Sequence, residues 1–279
     1  MQVSVQHVFK SYPHNGQPLP VLHDVNLIVE EGEFVCLLGP SGCGKSTIIH
    51  LIAGLERPDA GAVLIDGQPV TGPGVDRVVV FQEAALFPWL SVLGNVEFGL
   101  RMMKLPNAAR RARAMEYLKL VHLSKFVSAY PHQLSGGMKQ RVAIARALAM
   151  DPKVLLLDEP FGSLDAQMRA VLQNELLEIW QLARPTILFV THNVREATGL
   201  ADRIYVIASR PGRIRDVQAV NVPRPRHAED PLLLAHQRRI IDLLGEEIEK
   251  ALREELGETV HFPEIQHPAA PERSRGMHI

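Results

Sequence analysis

Apolar and polar residues alternate over Gln2–Phe9 and again over Val21–Val29, the period-two pattern of strands with one buried face. Between them, Pro13-His14-Asn15-Gly16-Gln17-Pro18 is rich in turn formers. The pattern then changes. Phe34-Val35-Cys36-Leu37-Leu38 is an unbroken apolar run that stops at Gly39, which predicts a short strand buried on both faces. Lys45–Leu55 follows as a predicted helix, and Val63–Asp66 and Arg77–Phe81 as further strands. From about Glu83 to Met150 the chain predicts mainly helix, with Asn107–Val121 the clearest segment. Lys153–Leu157 and Thr186–Val190 are again buried strands, and Ile204–Ala208 and Ile214–Val220 predict closing strands. Strand, glycine loop, helix and more buried strands together predict an α/β core around a mainly parallel sheet, with 84–150 as a helical subdomain.

Asp230–Leu256 spaces Leu233, Ile240, Ile241, Leu244, Ile248 and Leu252 among many charges, the signature of an amphipathic surface helix. From about Gly257 onward histidine and proline are frequent and apolar residues scarce, so 257–279 is expected to be a frayed tail. The expected organisation is therefore one domain over 1–229, a helical extension over 230–256 and the tail.

Composition narrows the class. With 46% hydrophobic and 22% charged residues, the 279-residue chain predicts an ordinary soluble globule. A formal net charge of -1 supplies no global field for nucleic acid or an anionic membrane. The 2 cysteines, Cys36 and Cys43, lack metal-ligand spacing and predict reduced thiols. The chain opens directly on a strand pattern, so no signal peptide is expected. No apolar run approaches the roughly 18–20 residues a bilayer requires. Work on a membrane would have to pass through a partner.

Gly39-Pro40-Ser41-Gly42-Cys43-Gly44-Lys45-Ser46, followed by Thr47, fits a phosphate-binding loop in its proper place, after an apolar strand and before a helix. Its glycines let backbone N–H groups wrap a β-phosphate, Lys45 would reach the β/γ oxygens, and Ser46 would take a place on Mg²⁺. Val154-Leu155-Leu156-Leu157-Asp158-Glu159 is an apolar strand ending in two carboxylates. Asp158 would hold Mg²⁺ through water, and Glu159 would orient an attacking water and accept its proton. The bland alternative is a helix N-cap. Gln82, after the strand Arg77–Phe81, could touch both metal and water. His192 follows the strand Ile187–Val190 and Thr191, where it could face a γ-phosphate; the other histidines among the 12 are read as ordinary surface or core residues. Tyr12 is expected in a loop, where its ring could stack on adenine.

Leu134-Ser135-Gly136-Gly137-Met138-Lys139-Gln140-Arg141 is the most informative stretch. Ser135, Gly136 and Gly137 at a helix start make a second phosphate-binding loop, unlike the first. Two loops of different kinds in one chain suggest that two copies sandwich ATP, each giving a different loop to each nucleotide.

These motifs, in this order from about Val3 to Arg215, resemble the ATP-binding subunits of ABC transporters. The resemblance implies a P-loop NTPase fold: a RecA-like core, an ABC-type helical subdomain bearing Leu134–Arg141, and a small N-terminal antiparallel β subdomain. It implies a homodimer closing head to tail on two ATP-Mg²⁺, with Ser163-Leu164-Asp165 contacting the opposite P-loop; taken alone, that turn would pass as a helix cap. It also implies a peripheral place on the cytoplasmic face of the inner membrane, beneath transmembrane permease subunits whose coupling helix docks near Phe87, Pro88, Trp89 and Leu90. The plainer role for Phe87 and Trp89 is to anchor the helical subdomain.

Pro73-Gly74-Val75-Asp76-Arg77, Val80-Phe81-Gln82-Glu83, Leu86–Val92, Asn95-Val96, Arg195-Glu196-Ala197, Leu200–Arg203 and Arg210–Ile214 are similar to the nitrate/sulfonate/taurine importer branch. Such importers take small anions or sulfonates delivered by an extracytoplasmic substrate-binding protein. Asn193 departs from the aspartate common in the family, keeping an acceptor but losing the charge. Other readings are an importer of another small nutrient such as a vitamin precursor, a soluble ABC ATPase acting on nucleic acid or ribosomes, and a non-hydrolysing scaffold. One cassette, no heptad run and no net basic charge speak against a nucleic-acid partner. Lys45, Asp158, Glu159 and His192 together speak against a scaffold.

Overall fold

A computed structural model describes residues 1–162, 164–208 and 211–256. The expected tail therefore lies outside the described residues, as do Ser163 and Arg210. Two sheets carry the fold. The first pairs β1 (Val3–His14) with β2 (Gln17–Val29) and with β4 (Ala60–Ile65), all antiparallel, and β4 with the short β5 (Gln68–Pro69), in the order β2-β1-β4-β5. β1 and β2 run further than the alternation predicts, up to a two-residue turn. Asn15 and Gly16 have φ of 49° and 79°, the paired left-handed residues that a tight hairpin requires. Tyr12 accordingly sits inside β1, opposite Leu19, and not in a loop as expected from the sequence.

The second sheet holds β3 (Phe34–Leu38), β6 (Arg77–Val80), β7 (Val154–Asp158), β8 (Thr186–Thr191), β9 (Arg203–Ala208) and β10 (Arg213–Ala219). Its order is β10-β9-β3-β8-β7-β6, parallel except for the β9–β10 hairpin. Unbroken apolar runs are explained by burial on both faces. Phe34, Cys36 and Leu38 point into one core with Trp180 and Phe189, whereas Val35 and Leu37 point into the other with Ile48, Ile52 and the first sheet's Val3 and Val5.

Helix α1 (Lys45–Ala53) follows β3 directly, and Gly54 closes it in the left-handed conformation. Three helices, α2 (Val92–Met102), α3 (Asn107–Leu120) and α4 (Gly136–Leu148), pack around a core of their own, including Val96, Leu100, Leu118 and Val142. α5 (Ala166–Ala183) and α6 (Val194–Leu200) complete the layer against the sheet. α7 (Pro231–Leu256) buries Leu233 and Ile240 and leans Leu244 on the same core. Ile241, assigned to that stripe from the sequence, is instead 53% exposed, because the packed face follows the spacing 233, 240, 244 and leaves its neighbour turned outward. The side chains of Ile248 and Leu252 lie outside the described residues.

Candidate functional site

Strands β3, β7 and β8 end side by side, so their last residues meet at one edge of the sheet. This is where open α/β sheets bind ligands. The loop after β3 folds back over the start of α1. Gly42 and Gly44 hold φ of 78° and 93° there, and a side chain at Gly44 would strike Leu22 Cδ2 at 2.5 Å. Gly42 is thus favoured by conformation, and Gly44 by both conformation and space. Lys45 is 5% exposed, and its Nζ donates to the carbonyls of Gly39 (2.9 Å) and Pro40 (2.8 Å), with Cys43 Sγ 3.8 Å away. Burial pushes the Cys43 thiol up, which makes it a packing residue under the loop and a poor nucleophile.

Ser46 Oγ donates to Asp158 Oδ1 at 3.2 Å. Burial pushes the Asp158 carboxyl above its usual range, with the Ser46 hydrogen bond opposing. Glu159 follows with φ of 44°, a left-handed backbone that turns its side chain out of the strand line toward the pocket. Its Oε1 lies 3.9 Å from Lys45 Nζ and its Oε2 lies 3.0 Å from His192 Nδ1. The cleft, about 380 Å³, is lined by Tyr12, Ser41, Gly42, Gly44, Lys45, Ser46, Thr47, Gln82 and Glu159 among others. Tyr12 is held by a hydrogen bond from its hydroxyl to Glu56 Oε2, whose other oxygen sits 3.2 Å from His50 Nδ1. Burial first, and then Glu56, push the Tyr12 hydroxyl pKa up.

Every residue assigned from the P-loop, the carboxylate strand, Gln82, His192 and Tyr12 either lines this cleft or touches a residue that does. Ser135, Gly136, Gly137 and Asp165 do not line it. Ser135 caps α4 by accepting from Met138 N, and it and Gly136 are exposed. Gly137 is buried against Met168 and Leu164. Asp165 caps α5 by accepting from Met168 N at 2.9 Å, so the bland role considered for this turn is realised. Gln82 also lines a second cleft, with Ala84, Leu86, Gly136, Lys139 and Gln140, between the strand end and α4.

Five further residues order the site; Phe87, Trp89, Asn95 and Asn193 already stood among the sequence motifs, and Arg146 was missed. Asn95 is fully buried; its Oδ1 accepts from Phe87 N at 2.8 Å and its Nδ2 donates to the carbonyls of Phe87, Leu90 and Ser91, fixing that loop. Phe87 packs on Phe98, whereas Trp89 is 70% exposed. Arg146 of α4 donates to the carbonyls of Ala84 and Ala85 and lies 5.6 Å over the Phe87 ring. Asn193 uses its acceptor to cap α6, taking hydrogen bonds from Arg195 N and Glu196 N, a role that needs no charge.

A strand, a glycine loop and a helix, with a lysine over the loop and carboxylates on the neighbouring strand end, define an ATP-binding and ATP-hydrolysing cassette. The chain belongs to the ABC transporter family, which matches residues 22–162. It is 53% identical to the nitrate import ATP-binding protein NrtD of Synechocystis sp. over 72% of this chain and 76% of that one. It is 44% identical to the bicarbonate transport ATP-binding protein CmpD of the same organism, over 87% and 88% of the two chains. Among solved structures it is similar to the dimeric ATP-binding cassette MJ0796 in a post-hydrolysis state with ADP and Pi, at a TM-score of 0.72 and 34% identity, over 79% of this chain and 100% of that one. These relatives bear out the resemblance to the nitrate importer branch and the P-loop fold. Among the described residues, no helix is long and apolar enough to cross a membrane.

Proposed function

We propose that this chain is the ATP-hydrolysing subunit of an importer for a small anion or sulfonate. It would work as a homodimer on the cytoplasmic face of the inner membrane, beneath a separate permease. The observation that carries the hydrolytic part is the triangle of Lys45, Glu159 and His192, with Glu159 Oε1 and Oε2 facing the other two at 3.9 and 3.0 Å. Glu159 is placed to take the proton of a water aligned on the γ-phosphate. His192 holds the carboxylate in that direction, and Lys45 offsets charge that builds on the phosphoryl oxygens. The Ser46 hydroxyl and the Asp158 carboxylate beside it are hard oxygen donors that suit Mg²⁺, with Gln82 as a further oxygen ligand. Bound there, Mg²⁺ would neutralise phosphate charge. Tyr12 would stack on the adenine.

Ser135, Gly136 and Gly137 do not line the chain's own cleft, which supports a sandwich in which they complete the site of a second copy, with Asp165 beside its P-loop. Phe87 is anchored and Trp89 exposed, which supports docking of a permease helix on Phe87-Pro88-Trp89-Leu90. A substrate-binding protein outside the membrane would act through the permease. The nitrate and bicarbonate relatives support cargo of the small-anion class, and the branch motifs add taurine and alkanesulfonates.

The test is growth of a deletion strain on single sources: nitrate, ammonium, taurine, alkanesulfonates, sulfate and limiting inorganic carbon. Loss on one source, restored by the wild type and not by Glu159→Gln, would name the cargo. Undiminished growth on all of them would contradict the small-anion assignment.

A further inference from the structure

Glu196 lies outside the cleft and is not needed by the chemistry described above, yet it is buried at 8% exposure as a carboxylate. Leaving a carboxylate there is costly unless several donors face it. Its Oε2 accepts from Thr191 Oγ1 at 2.5 Å, and its Oε1 accepts from Gln173 Nε2 at 3.2 Å. Arg169 Nε stands 3.4 Å from the same Oε1, near enough to pair in charge but off hydrogen-bond alignment. Thr191 Oγ1 in turn accepts from Asn193 N at 3.0 Å, so the residues on both sides of His192 are tied to this carboxylate. On its far side, Arg169 Nη2 donates to the Leu164 carbonyl at 2.9 Å, the residue before Asp165. Between these groups lies a cavity of about 30 Å³, lined by Glu159, Gly162, Arg169, Thr191, His192, Asn193 and Glu196. Its size and polar walls suit one water.

We infer that Arg169 and Glu196 are positioning residues for hydrolysis: the pairing of half-buried Arg169 with buried Glu196 locks the Thr191-His192-Asn193 turn to the Leu164-Asp165 turn. The lock rests on the reading of His192 and Asp165 proposed above. It gives the γ-phosphate contact of one site a fixed relation to the turn that would face the second copy. Neither residue lines the cleft, so both act through their neighbours. An ordinary structural pair would support folding alone; a positioning pair acts on kcat.

The experiment is steady-state ATP hydrolysis with full-length Glu196→Gln, Arg169→Lys and the double variant, with His192→Ala as reference and thermal unfolding measured alongside. Glu196→Gln keeps an acceptor for Thr191 but removes the charge facing Arg169. It should lower kcat ~10-fold, through misplacement of His192, at unchanged KM for ATP and nearly unchanged Tm. Lysine in place of Arg169 can reach Glu196 or the Leu164 carbonyl but not both, so Arg169→Lys should give a smaller fall. The double variant should be no worse than Glu196→Gln, as expected for one shared function. Wild-type kcat in Glu196→Gln, beside an inactive His192→Ala, would overturn the inference and leave the site reading intact. So would a loss of kcat that is matched by loss of ATP binding and of Tm. Wild-type turnover in His192→Ala would overturn the site reading itself.

Discussion

The two glycine loops of this chain, Gly39–Ser46 and Ser135–Gly137, are built in opposite ways. The Gly39–Ser46 loop is closed in on itself: Lys45 is buried and bonded to two loop carbonyls, and the neighbouring strand ends bring Asp158 onto Ser46 and Glu159 onto His192. The Ser135–Gly137 loop has the cap and the helix but, among the described residues, no side chain of the Gly39–Ser46 cleft bonded to it. Ser135 and Gly136 are exposed, and only Gly137 packs inward, on α5. One loop is assembled within the chain and the other is left open. The sandwich proposed above would account for the difference, since the open loop would then act only against another copy.

The largest effect should come from the closed loop. Glu159→Gln should cut ATP turnover by roughly 10²–10⁴-fold, the usual contribution of a positioned base, while ATP still binds and dimers accumulate on sizing columns. Near-wild-type turnover would remove Glu159 as the base. Ser135→Arg attacks the open loop. ATP binding to the monomer should be unchanged, but ATP-dependent dimers should vanish in light scattering; persistence of dimers would break the comparison. Tyr12→Ala should weaken ATP binding by about 1–3 kcal/mol, the worth of base stacking, and appear as a raised KM with kcat kept. The smallest effect sharpens the role of the turn before α5. Asp165→Ala should cost about 1 kcal/mol of stability by loss of the cap, seen in Tm, whereas Asp165→Asn should keep the cap and hence the Tm. A turnover deficit in Asp165→Asn would then isolate the part of the side chain that acts across the dimer.

The closed loop was legible in the sequence because its function dictates local chemistry. Glycines at Gly42 and Gly44, a lysine, and carboxylates at a strand end are forced by the geometry, so the pattern and the site coincide. What was hidden lies in long-range packing. Glu196 and Arg169 are ordinary helix-surface charges by sequence spacing, and only tertiary contact with Thr191 and Leu164 brings them together, with Glu196 buried. Asn95 likewise gains its role from a loop several residues upstream. Some of what was missed had a signal. Asn15-Gly16 announces a hairpin whose strands reach the turn, which would have put Tyr12 in β1. Asp165 followed by Leu172, Leu176, Ile179 and Trp180 at helical spacing announces α5, and all four of those side chains are buried. Ile241 misled because the side of α7 that meets the core is the one carrying Leu233, Ile240 and Leu244, and the residue next to Ile240 turns outward.

The measurement that bears most directly on the two-loop account is complementation. Lys45→Ala disables the closed loop of one chain, and Ser135→Arg disables the open loop of another. Each should be inactive alone. Mixed, they form heterodimers in which one composite site has both of its loops disabled and the other keeps the intact Gly39–Ser46 loop of one chain and the intact Ser135–Gly137 loop of its partner. The account predicts ATP hydrolysis in the mixture that neither variant shows by itself. A mixture as inactive as its components, or a Ser135→Arg chain that hydrolyses ATP unaided, would contradict it.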